Sequence, residues 1–353
     1  MIQSDQPRVE YLDWLRALAV SLVVFGHSAR NLVPGGATGV SVFFVLSGYL
    51  IASILLRDGM LTPLNMAKFI LRRVARIWPM YAAVIGFMIL ITAWASPSMH
   101  AVFVQNAFDL LTFRGMIEEW IGTTAGILWT LYVEFWFYVS FPILLVVASY
   151  FGLVWPMLAC CILLSLAAKI PDSIVLHLAA KISAPGLLFQ YYDQLLIGAA
   201  AAYAQKTKRV PSFIKRPNTA KIAVLTILGF SLLLPFWHRN YIWWIQSLSV
   251  CCATAVAILA LTANPPKAQL PALSYLGRIS YSVYFIHAMI LDLIFKTTDS
   301  MPGQIPLYFL LTVAISSLTY FTIEQPFNKL ARRLLPFDSR MAPLSRASHY
   351  RSE

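Results

Sequence analysis

Residues 11–27 read Tyr11-Leu-Asp13-Trp-Leu-Arg16-Ala-Leu-Ala-Val20-Ser-Leu-Val-Val-Phe-Gly-His27. The run is apolar enough to enter hydrocarbon, yet it carries Asp13, Arg16 and His27. Arg16 and His27 are 11 residues apart, which on a helix is about 1100° of rotation, roughly 20° from a whole number of turns. They share one face, separated by roughly 16 Å of helix rise. Asp13, one turn before Arg16, is placed to pair with it. Ionisable groups are costly in a bilayer, so this face is a candidate site by default.

Apolar runs of this kind fill the chain. Of its 353 residues, 59% are hydrophobic and 12% charged, whereas soluble domains carry about 25% charged residues. Runs long enough to span a bilayer lie at approximately 13–33, 39–56, 78–96, 125–149, 153–169, 186–205, 221–237, 243–263, 273–295 and 304–323. The expected fold is an all-α integral membrane protein of about ten transmembrane helices. The first run reads as a retained span rather than a signal peptide, because Arg16 interrupts it and Arg8 is the one basic residue before it. Residues 1–335 are expected to form one membrane domain and 336–353 a polar, disordered cytoplasmic tail. There is no internal repeat.

The net charge is +12. Its distribution speaks for topology rather than nucleic-acid binding, since the basic residues sit between apolar runs. The N-terminus, the loops after spans 2, 6 and 8 and the C-terminal tail hold 20 of the 27 Lys and Arg. The opposite side holds six: Arg30, Arg114, Lys169, Lys181, Arg239 and Lys296. The positive-inside rule places both termini in the cytoplasm, as for a multi-pass protein of the cell inner membrane. Residues 97–124, with Glu118 and Glu119, are expected to form the one long outward loop. Cys160, Cys161, Cys251 and Cys252 all lie in apolar runs. Their spacing suits neither a metal site nor a disulfide framework.

The titratable residues within spans are Arg16, His27, Glu134, Asp193 and His287, with Asp13, Arg278, Asp292 and Glu324 near span ends. Counting rise from span ends puts His27 and His287 roughly 20 Å above the cytoplasmic edge, and Glu134 and Asp193 about 15–20 Å above it. One layer is thus expected to gather all four. Blander roles stand beside this one: a helix-to-helix hydrogen bond for either histidine, an internal partner role for Glu134, and a structural ion pair for Asp193. Between spans 2 and 3 runs Lys68-Phe-Ile-Leu-Arg72-Arg73-Val-Ala-Arg76-Ile-Trp-Pro79. Arg73 and Arg76 face the same way on a helix. They suit either a phosphate clamp or a snorkelling anchor.

Six segments, in order, resemble the membrane acyltransferase 3 family almost end to end. They are the 11–20 opening with His27 completing an Arg-ten residues-His pattern; Gly39-Val-Ser-Val-Phe-Phe-Val-Leu-Ser47-Gly48; Arg73-Val-Ala-Arg76-Ile-Trp-Pro; Trp129-Thr-Leu-Tyr-Val-Glu134-Phe-Trp-Phe-Tyr138; Leu276-Gly277-Arg278-Ile-Ser280-Tyr281-Ser-Val-Tyr284-Phe-Ile-His287; and Glu324-Gln-Pro326. Trp14 stands where the family usually has glycine, and Phe135 where it usually has a second acidic residue. The short form, without the family's common hydrolase-like C-terminal domain, looks most like bacterial exopolysaccharide O-acetyltransferases.

The resemblance implies transfer of an acyl group, acetyl by default, from cytoplasmic acyl-CoA to a hydroxyl of a surface or exopolysaccharide glycan or its lipid-linked precursor. Acyl-CoA is a substrate, and no permanently bound cofactor or metal is implied. His27, Arg16, Glu134 and His287 are the implied catalytic residues, and Arg73 and Arg76 the acyl-CoA site. Asp13, Asp193, Ser280 and Tyr284 are the supporting groups. The thioester arm is expected to pass Arg16 towards His27, which acts either as general base or as a covalent acyl carrier. Arg16, or the Tyr and Ser side chains of span 9, would stabilise the oxyanion. The rival reading is a transporter or flippase using the same charges as a proton or ion relay; labelling a glycan from acetyl-CoA separates the two.

Overall fold

A computed structural model describes residues 10–115, 123–170, 175, 187–234, 242–295 and 303–337. The expected disordered tail beyond 337, and Glu118 and Glu119, lie outside these residues. The described residues fold into helices and connecting turns, with no strand among them. The helices are α1 (Glu10–Ser28), α2 (Thr38–Leu55), α3 (Pro63–Ala95), α4 (Pro97–Leu111), α5 (Thr123–Ile127), α6 (Trp129–Tyr150), α7 (Val154–Ala167) and α8 (Leu187–Lys206). There follow α9 (Thr219–Leu233), α10 (Ile242–Ala263), α11 (Pro271–Arg278), α12 (Ser280–Ile290), α13 (Ile305–Thr319) and α14 (Gln325–Leu334). Wider π-helical turns extend α12 over Leu291–Phe295 and α13 over Tyr320–Glu324. Pro326 has no N–H to return to residue 322, which accounts for the second widening.

Among the described residues the ten apolar runs are mostly helical, but they are not equal. Among the described residues, five stretches are long and apolar enough to cross a membrane: Thr38–Leu55, Pro63–Ala95, Thr123–Tyr150, Trp244–Ala263 and Ile305–Leu334. The helices α7 and α9 have 14 and 15 residues, so they rise about 21–23 Å against a hydrocarbon core of about 30 Å. Asp13, Arg16 and His27 lower the apolar character of α1. Two expected loops are helices instead. Residues 97–111 form α4, which packs on α3. The basic stretch 68–79 lies within α3, a single helix of 33 residues. Thr62 caps it by accepting from the Asn65 N–H at 3.3 Å, and Pro63 occupies its first turn, where no N–H is needed.

The chain divides into two compact units, Met1–Ser47 with Ile117–Thr130 and Lys208–Thr322, and Gly48–Met116 with Leu131–Thr207 and Ile323–Glu353. In the first unit, α1 packs on α11 and α12, α9 on α10, and α12 on α13 and α5. Glycines allow the closest of these approaches. A Cβ on Gly277 of α11 would overlap the backbone of Asp13 on α1, and one on Gly39 of α2 would overlap the Ala19 carbonyl. The indole of Trp14 donates to Ser274 Oγ at 2.9 Å beside the first contact. In the second unit, α3 packs against α4 and α14, and α7 against α8.

Gly277→Ala is expected to lower the melting temperature of the detergent-solubilised protein, by about 1–3 kcal/mol of overpacking. Gly86→Ala is the control: nothing lies within 4 Å of its Cβ position, so melting should stay level or rise slightly.

Candidate active site

His27 lies near the end of α1 and His287 in the second half of α12. Their helices pack together, and His27 Nδ1 lies 3.2 Å from His287 Nε2, with ring centroids 5.3 Å apart. His287 is fully buried and His27 half-buried. The second nitrogen of His287, Nδ1, is 3.0 Å from the Val283 carbonyl one turn back on its own helix. The Tyr308 hydroxyl of α13 donates to the backbone carbonyl of His287 at 3.2 Å. Phe25, two residues before His27, stacks on Phe309 with centroids 5.8 Å apart. The backbone and ring contacts thus engage both nitrogens of His287, and Tyr308 and Phe309 tie α13 to the two helices that carry the pair.

The π-helical turn after α12 places Asp292 at the start of α5. Its two carboxylate oxygens accept the backbone N–H groups of Thr123 and Thr124 at 2.8 and 2.7 Å. The first N–H groups of a helix need partners from outside it, and a carboxylate is favoured beside them. At the other end of α5, the Tyr284 hydroxyl pairs with Thr130 Oγ1 at 3.0 Å and donates towards the Ile127 carbonyl at 3.3 Å. Tyr284, expected as an oxyanion donor, thus has its hydroxyl directed at the α5–α6 junction. Ser280 is buried at the first residue of α12.

Arg16 Nη1 pairs with Asp13 Oδ1 at 2.7 Å, and Asp13 is buried. The helical-face expectation holds, because α1 is unbroken from Glu10 to Ser28. The guanidinium is drawn towards the N-terminal end of α1, away from His27.

Glu134, Arg73, Arg76 and Asp193 belong to the second unit, and each has its own surroundings there. The Tyr138 hydroxyl donates to Glu134 Oε1 at 2.6 Å. The Arg73 guanidinium lies over the rings of Phe69 and Tyr138, 5.2 and 5.8 Å from their centroids. Stacking uses its face and leaves its N–H edge in-plane for an anion. Arg76 follows one turn later on α3. Arg72 is committed elsewhere: Nε donates to the Leu335 carbonyl at 2.7 Å and the group covers Phe337 at 3.8 Å. Asp193 is buried and takes Lys169 Nζ at 2.6 Å and Ser165 Oγ at 3.1 Å. Its own N–H donates to Ser165 Oγ at 2.8 Å. This is the structural ion pair; Lys169 lies in the turn after α7, with its amine buried on Asp193.

Three contributors were given no role at the site in the reading of the sequence. Lys169 was counted only as one of the outward charges. Tyr308 carries no charge and sits in an ordinary apolar run. Asp292 was visible as a carboxylate five residues after His287, inside the apolar stretch Ile290-Leu-Asp292-Leu-Ile; that context was the signal.

An all-helical chain with these membrane-length helices, a buried histidine pair and internally paired charges is a multi-pass membrane protein. The acyltransferase 3 family model, described as an acyltransferase domain, matches residues 9–321. The chain belongs to this family. O-acetyltransferase OatA of Staphylococcus aureus (strain NCTC 8325 / PS 47) is 24% identical over 360 residues, which cover 92% of this chain and 58% of that protein. Putative O-acetyltransferase SAR0937 of S. aureus (strain MRSA252) is 26% identical, covering 94% of this chain and 59% of its own. Putative peptidoglycan O-acetyltransferase YrhL of Bacillus subtilis (strain 168) is 28% identical, covering 92% and 56%. The chain spans somewhat more than half the length of these relatives. No solved structure matches it.

Lys169→Met should destabilise the protein by about 3–5 kcal/mol, because the Asp193 charge stays buried without its cation. The double variant Lys169→Met with Asp193→Leu should recover most of that loss in thermal melts. A double variant no more stable than the single one would show that the pair does not act as a unit.

Proposed function

We propose that this chain is a membrane O-acyltransferase. It moves an acyl group, acetyl by default, from cytoplasmic acyl-CoA to a hydroxyl of a surface or exopolysaccharide glycan or its lipid-linked precursor. The observation that carries this reading is the half-buried His27 ring with Nδ1 engaged by His287, in a chain of the acyltransferase 3 family. The relatives' names support O-acetyl transfer, and that of YrhL points to peptidoglycan as one glycan acceptor to test beside exopolysaccharide.

In the proposed reaction the acceptor oxygen attacks the thioester carbonyl carbon while His27 removes the hydroxyl proton. The C–S bond then breaks, and the proton passes to the departing sulfur. Proton transfer by a positioned imidazole contributes about 10²–10⁴-fold. Arg73 and Arg76 bind the phosphates of the donor, for which planar guanidinium groups are suited. Glu134, through Tyr138, sets the environment of Arg73. Arg16 is held towards the N-terminal end of α1 by Asp13, about three helical turns from His27; we therefore give it the passage of the polar donor rather than the oxyanion. A ten-span topology with both termini in the cytoplasm of an inner-membrane protein fits a cytoplasmic donor and follows from the charge bias of the loops.

Membranes holding the protein should transfer label from acetyl-CoA to a glycan, and His27→Ala should abolish this while the protein still inserts. Full transfer by His27→Ala would remove His27 from the chemistry. Acyl-histidine trapped by rapid quench would instead make the ring a covalent carrier. Arg73→Ala or Arg76→Ala should raise the KM for acetyl-CoA on the order of ten-fold, as for loss of a charged hydrogen bond. An unchanged KM would return these arginines to a topological role.

A further inference from the structure

We infer that His287 is a positioning residue that fixes the tautomer of His27, so that His27 Nε2 is the atom that takes the acceptor's proton. This rests on the acyltransferase reading above and assigns the atom that reading leaves open.

The argument follows the hydrogen bonds inward from the backbone. A carbonyl only accepts, and the Val283 carbonyl lies 3.0 Å from His287 Nδ1. Nδ1 of His287 therefore carries its proton. A neutral imidazole has one N–H, so Nε2 of His287 presents a lone pair. That lone pair faces His27 Nδ1 at 3.2 Å. Two lone pairs at that distance repel, so His27 Nδ1 carries the proton and donates. The remaining nitrogen of His27, Nε2, is left with its lone pair. The opposite assignment would set a lone pair of His287 against the Val283 carbonyl.

Burial gives the two rings different tasks. His287 is fully buried, 0% exposed, and both of its nitrogens are used. His27 is the half-buried member, and its Nε2 is the atom directed away from the pair. When the acceptor oxygen bonds to the carbonyl carbon, its proton goes to His27 Nε2. The ring becomes imidazolium, and its Nδ1–H bond to His287 strengthens because the donor is now charged. As the C–S bond breaks, the Nε2 proton goes to the thiolate sulfur. Both rings then regain their starting tautomers, and His287 has gained and lost nothing. A ring held by a neighbour through its other nitrogen is the general way in which a histidine base keeps the right tautomer.

The test uses the full-length protein in lipid nanodiscs, with ring-¹⁵N-labelled histidine. The chain has six histidines, and His27 is assigned by difference against His27→Ala. The expected spectrum has a protonated Nδ1 and an unprotonated Nε2 at His27; a protonated Nε2 overturns the inference. This readout needs no turnover, so it is distinct from the failure of the acyltransferase reading, which His27→Ala reports. Two variants supply the kinetic arm. His287→Gln puts an amide oxygen near the place of Nε2 and still accepts from His27, so kcat should stay within about ten-fold of wild type with KM unchanged. His287→Leu removes the acceptor, so kcat should fall about 10²–10⁴-fold. Full activity in His287→Leu, or equal inactivity in a folded His287→Gln, would overturn the positioning role.

Discussion

A polar group carried into hydrocarbon must find its partner within the protein, because no water is there to supply one. Much of this structure follows from that constraint. Asp13 takes Arg16, Asp193 takes Lys169 and Ser165, and Glu134 takes Tyr138. Asp292 spends both oxygens on the first N–H groups of α5. The histidine pair differs in kind: His287 is engaged on both sides, by Val283 and His27, whereas in the proposed reaction His27 uses its other nitrogen for chemistry.

Placing that nitrogen depends on close packing of backbone rather than on the polar groups alone. Within the first unit, Gly277 and Gly39 let α11 and α2 approach α1 more closely than a Cβ would allow. The helix α1 is thereby held on two sides, and its register against α12 is set. A shift of one residue along a helix turns a side chain by about 100°, which would take the His27 ring away from His287. Small residues at such crossings are the usual means of close helix packing in membranes. The unassuming glycines and the titratable pair therefore belong to one device.

Much of the fold was legible in the residues, because apolar runs of spanning length have few other destinations. Among the described residues each of those runs is mostly helical, although 125–149 and 273–295 are each divided between two helices. The failures have identifiable causes. Averaged hydropathy reads a polar or basic stretch as loop, whereas a helix needs only continuity of backbone hydrogen bonds; hence α4 and the basic half of α3 were missed. Charge counting used Lys169 only as a topology marker, but a lysine stem is long enough to carry its amine to a buried carboxylate. Asp193 was named as a candidate for the site and also as a structural partner, and its geometry is that of a partner.

By itself, the sequence determined the class of protein, the family resemblance and the shared face of Arg16 and His27. These are local or compositional properties: 100° per residue holds for any α-helix, and an apolar run needs no neighbour to be apolar. The meeting of His27 with His287, 260 positions apart in the chain, was decided only by the tertiary structure. So were the Lys169–Asp193 pair and the capping of α5 by Asp292. Distances between helices depend on which surfaces pack and in what register, and a linear string of residues carries no such length. The depth count placed both histidines at one level; only the packed helices brought the rings within 3.2 Å and gave each nitrogen its partner.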